Sequence, residues 1–138
     1  MGAVMRTILD TSVLIGEPLS GLGGELAVSV ASLAELQFGV LVSDDPVARA
    51  IRLQRLSRVQ LRFKTLPMDE AVAGSYAMLA AATVRAGRQP RRRAFDLVIA
   101  ATAHAHGARL ATMNVVDVEH LANVIDIVRP EPEGDGRA

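Results

Sequence analysis

Short apolar runs alternate with longer stretches of helical periodicity along this chain. Arg6-Thr-Ile-Leu-Asp10 is a brief apolar run that ends on an acid. Leu26 to Val30 is a second strand candidate, Thr65 to Pro67 a weak third, Arg109 to Thr112 a fourth and Val124 to Val128 a fifth. Pro67 should end the third or keep it at a sheet edge. Helical patterns fill the intervals. Ser32-Leu-Ala-Glu35 reads as a capping box ahead of a helix to about Leu41. Asp44-Asp45-Pro46 is a strong helix start, with acidic caps before a proline at the first helical position, and that helix should run to about Leu61. Asp69 or its neighbour starts another helix that ends at Gly87, and Asp96 opens a very apolar one that ends at Gly107; both glycines suit the left-handed residue after a helix. Leu19 to Gly24 and Gly87 to Arg93 read as loops. Such alternation predicts an α/β fold with a parallel sheet and right-handed crossovers.

Composition narrows the class. The chain has 138 residues, half of them hydrophobic, which suits one domain with a proper core. With three Phe, one Tyr and no Trp, the core must be Leu, Val, Ile and Ala, as when helices pack closely on a buried sheet. The absence of Cys excludes disulfides, thiolate metal sites and a thiol nucleophile. No apolar run reaches the ~20 residues of a membrane span, and no basic segment leads into an apolar signal segment, so a cytoplasmic protein with no membrane partner is expected. Residues 1–130 read as one domain and 131–138 as a flexible polar tail. Met5 is an alternative natural start, which would make residues 1–4 an extension. Net charge is zero but segregated: six bases and no acid lie between Pro46 and Lys64.

Ligands of an open parallel sheet bind at the carboxyl ends of its strands. Asp10-Thr11-Ser12 follows the first strand, and Glu35 falls in the first turn of the helix after the second. Asp96 heads the helix that feeds the fourth strand, and Thr112, Asn114 and Asp117 follow that strand. Each also has an ordinary structural use. Asp10 or Ser12 suits a helix cap, and Glu35 the far half of a capping box. Asp96 suits the positive end of a helix, and Asn114 and Asp117 suit turns. Taken together, three acids beside apolar stretches would repel one another and lose hydration. A hard divalent cation such as Mg²⁺, with its oxygen ligands, is the common remedy, and a pair of such ions can drive phosphodiester cleavage.

In order and spacing, Ile8-Leu-Asp10-Thr-Ser-Val-Leu14, Leu33-Ala-Glu35-Leu, Asp96-Leu-Val-Ile-Ala-Ala101-Thr-Ala and Thr112-Met-Asn114-Val-Val-Asp117 resemble the PIN domain, most of all the bacterial VapC toxins. The resemblance spans about Met5 to Val128 and rests on the ordered set of four motifs. It implies a three-layer α/β/α domain with a five-stranded parallel sheet in order 3-2-1-4-5. It implies an endoribonuclease using Mg²⁺ or Mn²⁺, acting as a homodimer and inhibited by a cognate VapB-like antitoxin that covers the acids. Asp10, Glu35 and Asp96 would be the metal-binding acids, with Asp10 and Asp96 holding the main ion. Asn114, often Asp in relatives, or Asp117 would complete the site with Glu35, and Thr11, Ser12 and Thr112 would support its geometry. Neutral Asn114 departs from the pattern and weakens a second ion site; Val118 stands where an aromatic often follows Asp117, a departure in packing only.

Arg91, Arg92 and Arg93, with Arg88, precede Asp96 and are expected to contact RNA phosphates and offset the repulsion of the nearby carboxylates, a plain solvated loop being the alternative. Arg49, Arg52, Arg55, Arg58 and Arg62 form a helical stripe. It is either a solvated face opposite Ile51, Leu56 and Val59, or a surface for RNA or an acidic antitoxin tail. His104 and His106, two apart, do not share a helix face and make no metal pair. Met78 to Val84 reads as core or dimer interface. The competing functions are a phosphoaspartyl enzyme or phosphoacceptor with Asp10 as the reactive group, disfavoured by Ser12 and by the single Lys64, and a catalytically weak PIN-like module that binds RNA or a partner without cutting.

Overall fold

The computed structural model describes residues 5–16 and 22–131. The expected extension at residues 1–4, most of the tail at 131–138 and part of the Leu19 to Gly24 loop lie outside the described residues. Five strands, β1 (Arg6–Leu9), β2 (Glu25–Ser29), β3 (Lys64–Leu66), β4 (Arg109–Ala111) and β5 (Ile127–Val128), form one parallel sheet in order β3-β2-β1-β4-β5. Among the described residues six α-helices accompany them: α1 (Thr11–Leu14), α2 (Val30–Leu41), α3 (Pro46–Arg62), α4 (Glu70–Arg85), α5 (Ala94–Ala105) and α6 (Val115–Val118). The three-layer architecture and strand order match the expectation.

Alternation along each strand sorts the core into two layers, because successive side chains point to opposite faces. Ile8, Ala27 and Leu110 pack with Val72, Leu79, Leu97 and Ile99 of α4 and α5. Their neighbours Leu9, Val28 and Ala111 pack with Val13, Leu36, Leu56 and Val59 on the other side. The buried core is aliphatic, as the scarcity of aromatics requires. On α5, Ala100, Ala101 and Ala103 are fully buried, so the helix lies close to the sheet. Leu79 and Thr83 carry the Met78 to Val84 stretch into the core, while Met78 and Val84 stay exposed. Among the described residues no helix is long and apolar enough to cross a membrane.

The helix ends follow local chemistry. The carboxylate of Asp45 accepts from the amides of Val47 and Ala48 with Pro46 next in line, and Asp69 accepts from Val72 N. After α4, Gly87 adopts φ 76° while Arg88 N donates to Thr83 O and Gly87 N to Val84 O. Gly107 repeats this arrangement after α5, with φ 60°. A side chain at either position would strain the left-handed turn that satisfies these last carbonyls.

Four readings of the sequence need correction. Ser29, not Ser32, caps α2: its hydroxyl accepts from Ala31 N, so Val30 leaves the strand. Ser32 then lies buried inside the helix, and Glu35 sits in the second turn rather than the first. The fifth strand begins only at Ile127, because Val124 N and Ile125 N donate to Leu121 O and hold the preceding residues in a turn. Pro90–Arg93, read as loop, forms a 3-10 turn with proline at its start. On α3, Leu56 and Val59 are buried but Ile51 is 53% exposed, so the basic stripe flanks the core rather than opposing Ile51. Two of its arginines are committed to the backbone, Arg49 to Ser43 O and Arg52 to Gly39 O, each at 2.7 Å.

Candidate active site

The acids gather at the carboxyl edge of the sheet, where the register puts them side by side. Leu9 pairs with Ala111, so the next residues, Asp10 and Thr112, meet at the ends of β1 and β4. Asp10 caps the short α1, as its ordinary structural use predicts. Its Oδ2 accepts from Ser12 N at 3.2 Å, from the Ser12 hydroxyl and from the Thr112 hydroxyl at 3.1 Å. All three donors fall on one oxygen, so Oδ1 keeps its lone pairs for another partner. Ser12 Oγ also accepts from Met113 N, and Thr112 Oγ1 from Asn114 N, which ties the α1 turn to the segment after β4. Ser12 and Thr112 thus both bind the Asp10 carboxylate and link it to the segment after β4.

The Thr11 hydroxyl donates to Glu35 Oε1 at 2.7 Å and stands 3.0 Å from the Ser32 hydroxyl. Asp96, in the first turn of α5, lines one narrow cleft with Asp10, Thr112, Asn114 and Asp117. Burial raises the Asp96 pKa first, and the charges of Asp10, Glu35 and Asp117 raise it further, against the lowering influence of Arg93. The Arg93 guanidinium reaches into this acid group: Nη1 lies 2.6 Å from Asp117 Oδ2 and 3.6 Å from Asp96 Oδ2. Asn114 begins α6 without a side-chain capping bond, and Arg88 pins that helix through the carbonyls of Val116 and Asp117.

Asp10, Asp96, Asn114 and Asp117 therefore come together, while Glu35 approaches from α2 under the control of Thr11. Among the described residues, no three His, Asp or Glu side chains form a ready-made metal ligand set. Glu35 is instead bonded to Thr11 of α1, and Arg93 pairs with Asp117 and Asp96. Arg91 and Arg92 lie exposed on the 3-10 turn beside the cleft. The histidines are engaged elsewhere, His104 with Ser75, His106 with Arg6 and His120 with Thr83. The sequence places Arg93 beside the acids but does not give its direct pairing with Asp117, and it gives Ser32 no contact with Thr11. Both carry a signal that could have found them, since each lies three residues before an acid on a helix or its lead-in.

The PIN domain family matches residues 7–116. The chain belongs to the PIN-domain family. Within it, this PIN domain is closely related to VapC-family toxins of toxin–antitoxin systems. It is 41% identical over 117 residues to Ribonuclease VapC4 of Mycobacterium tuberculosis, an alignment covering 80% of this chain and 88% of that protein. A crystal structure of VapBC-5, a member of the VapBC family of toxin–antitoxin systems from Mycobacterium tuberculosis, superposes with a TM-score of 0.78 at 34% identity, covering 90% of this chain and 98% of the other. VapBC2 from Rickettsia felis, solved bound to a DNA fragment from its promoter, shares the fold with a TM-score of 0.76 at 23% identity, covering 91% and 98% of the two chains.

Proposed function

We propose that this PIN-domain chain is the toxin of a toxin–antitoxin pair: a metal-dependent endoribonuclease that hydrolyses RNA phosphodiester bonds in the cytoplasm and is held inactive by a VapB-like antitoxin. The observation that carries this reading is the convergence of Asp10 and Asp96 in one cleft with Asp117 and Asn114, where burial first and then the surrounding acids keep the Asp96 pKa raised despite an arginine in contact. The names of the relatives supply the activity class.

The donor set suits Mg²⁺ or Mn²⁺, since every donor is a hard oxygen and the carboxylates repel one another until a cation joins them. Asp10, through its uncommitted Oδ1, and Asp96 would hold the ion, with Asn114 or Asp117 beside them. Such a cation, when bound, supplies Lewis acidity that polarises the scissile phosphate and strengthens water as a nucleophile. The chain's own residues do the rest. Ser12 and Thr112 fix the Asp10 carboxylate by binding Oδ2. Thr11 fixes Glu35 through Oε1, so Oε2 is the atom that would accept the proton of the attacking water. Ser12 is no nucleophile in this scheme, because its hydroxyl is spent on Asp10 and no histidine adjoins it. Arg91, Arg92 and Arg93 would meet RNA phosphates.

Exposed apolar side chains on α2 and α3, including Phe38, Leu41, Ile51 and Leu61, support a covering partner, the antitoxin or the second subunit of a homodimer. The contact of Arg93 with Asp117 and the neutral Asn114 favour the second reading, a PIN-like module that binds RNA or a partner with little catalysis. Incubating purified RNA with wild type and Asp10→Ala in Mg²⁺, Mn²⁺ or EDTA separates the two. Cleavage by wild type alone, abolished by EDTA, is the expected result; RNA bound but never cut under any metal would leave the binding module.

A further inference from the structure

Beside the acid cleft, and sharing Asp96 and Asp117 with it, lies a second cavity of about 400 Å³. Thr83, Arg88, Arg92, Arg93 and His120 are among the residues that line it. Three guanidinium groups face two carboxylates there, so the cavity has an excess of positive charge, unlike the acid cleft it adjoins. Arg88 is held in place by two backbone carbonyls through Nη1, which leaves Nη2 to a ligand. Arg92 makes no hydrogen bond or ion pair among the described residues. The Thr83 hydroxyl donates to Leu79 O at 2.8 Å, so in its 3.0 Å contact with His120 the histidine Nε2 is the donor. That assignment makes His120 Nδ1 an acceptor, and this nitrogen is buried without a partner. The His120 pKa is lowered by burial first and then by the charges of Arg88 and Arg93, which keeps the ring neutral and the acceptor in place.

We propose that this cavity is the subsite for the nucleotide next to the scissile phosphate, with its flanking phosphate held by Arg92 and the free edge of Arg88. The inference rests on the nuclease reading above and deepens it. A free divalent cation does not suit the excess of guanidinium groups, and an apolar ligand does not suit the charged walls. A nucleotide suits both sides, with phosphate oxygens for the arginines and a ribose or base for the remaining polar lining, which includes His120. The volume also matches a group of that size.

The test measures binding of short oligoribonucleotides by fluorescence anisotropy in an Asp96→Asn background, where turnover does not interfere. Each phosphate in turn is replaced by an uncharged methylphosphonate. One position flanking the cut should weaken binding roughly tenfold in the background protein, and Arg92→Ala should lose that sensitivity while flattening the salt dependence by about one contact. The control Lys64→Ala, on the far edge strand, should keep it. RNA that binds with the same methylphosphonate profile in the Arg92→Ala protein would overturn the subsite and leave the nuclease reading intact. RNA that neither binds the background protein nor is cut by the wild type would overturn both.

Discussion

Replacing Asp96 with asparagine should stabilise the metal-free protein and destroy its response to metal. The structure sets the magnitude. The substitution keeps the side-chain shape, removes a charge disfavoured by burial and by Asp10, Glu35 and Asp117, and gives up only a 3.6 Å contact with Arg93. That ion pair is about two-fifths exposed on both sides, and such pairs contribute ~0–1 kcal/mol. With the repulsion discounted for the same exposure, the net gain in EDTA should be about 0.5 kcal/mol, or ~2 °C in Tm. The pH dependence has a definite sign. A folded pKa raised above the ordinary 3.8 means the folded state holds the proton more tightly than the unfolded chain, so wild-type stability falls as pH rises through the interval from 3.8 to the raised value. Asp96→Asn should lack that component. A divalent cation at tenfold over its Kd stabilises a protein that binds it by about 1.4 kcal/mol, so the wild type should overtake the variant in excess Mg²⁺. Thermal melts by circular dichroism in EDTA and in Mg²⁺, across pH, test this directly. Collapse of Asp96→Asn, or equal Mg²⁺ stabilisation of both proteins, would refute the reasoning. Turnover of RNA should fall by roughly a hundredfold or more in the variant while its fold persists.

Arg93→Gln should tighten Mn²⁺ binding, measured by electron paramagnetic resonance, by removing the cation that holds Asp117 and Asp96, and it should weaken RNA binding; looser Mn²⁺ binding would show that Arg93 arranges the acids instead. Thr11→Val should cut the cleavage rate roughly tenfold or more by releasing Glu35, with little change in Tm, and an unchanged rate would remove Glu35 from the chemistry. Gly87→Ala should cost about 1 kcal/mol in a denaturant titration because of its left-handed backbone, whereas Gly74→Ala, inside α4 with open space around it, should be neutral or stabilising. His120 should titrate below 6.5 by NMR, and because the unfolded chain then binds the proton more tightly, its share of stability should grow as pH rises toward 6.5.

The architecture was legible because the strongest signals were local and redundant. Asp45-Pro46 and Gly87 mark helix ends by chemistry that operates within a few residues, and alternation between Ile8 and Leu9 or Leu110 and Ala111 assigns faces without any tertiary knowledge. The convergence of Asp10 and Asp96 followed from a strand exit and a helix start falling on the same edge of a parallel sheet. What could not be read locally was which of two competing signals wins. Ser29 and Ser32 both look like caps, and only the buried exit of β2 decides for Ser29, which moves Glu35 a turn deeper and beside Thr11. Val124 to Val128 has the composition of a strand, yet the turn bonded to Leu121 O claims its first half. Arg93 looks like its neighbours Arg91 and Arg92 in sequence, and only the 3-10 turn before α5 directs its side chain to the acids.

The central claim is that Asp10 and Asp96 share a divalent cation. Anomalous diffraction from crystals soaked in Mn²⁺ measures it most directly. The account predicts a manganese peak bonded to carboxylate oxygens of both residues and lost in Asp96→Asn crystals. A saturated soak with no peak in the cleft, or with manganese bound only elsewhere, would contradict it.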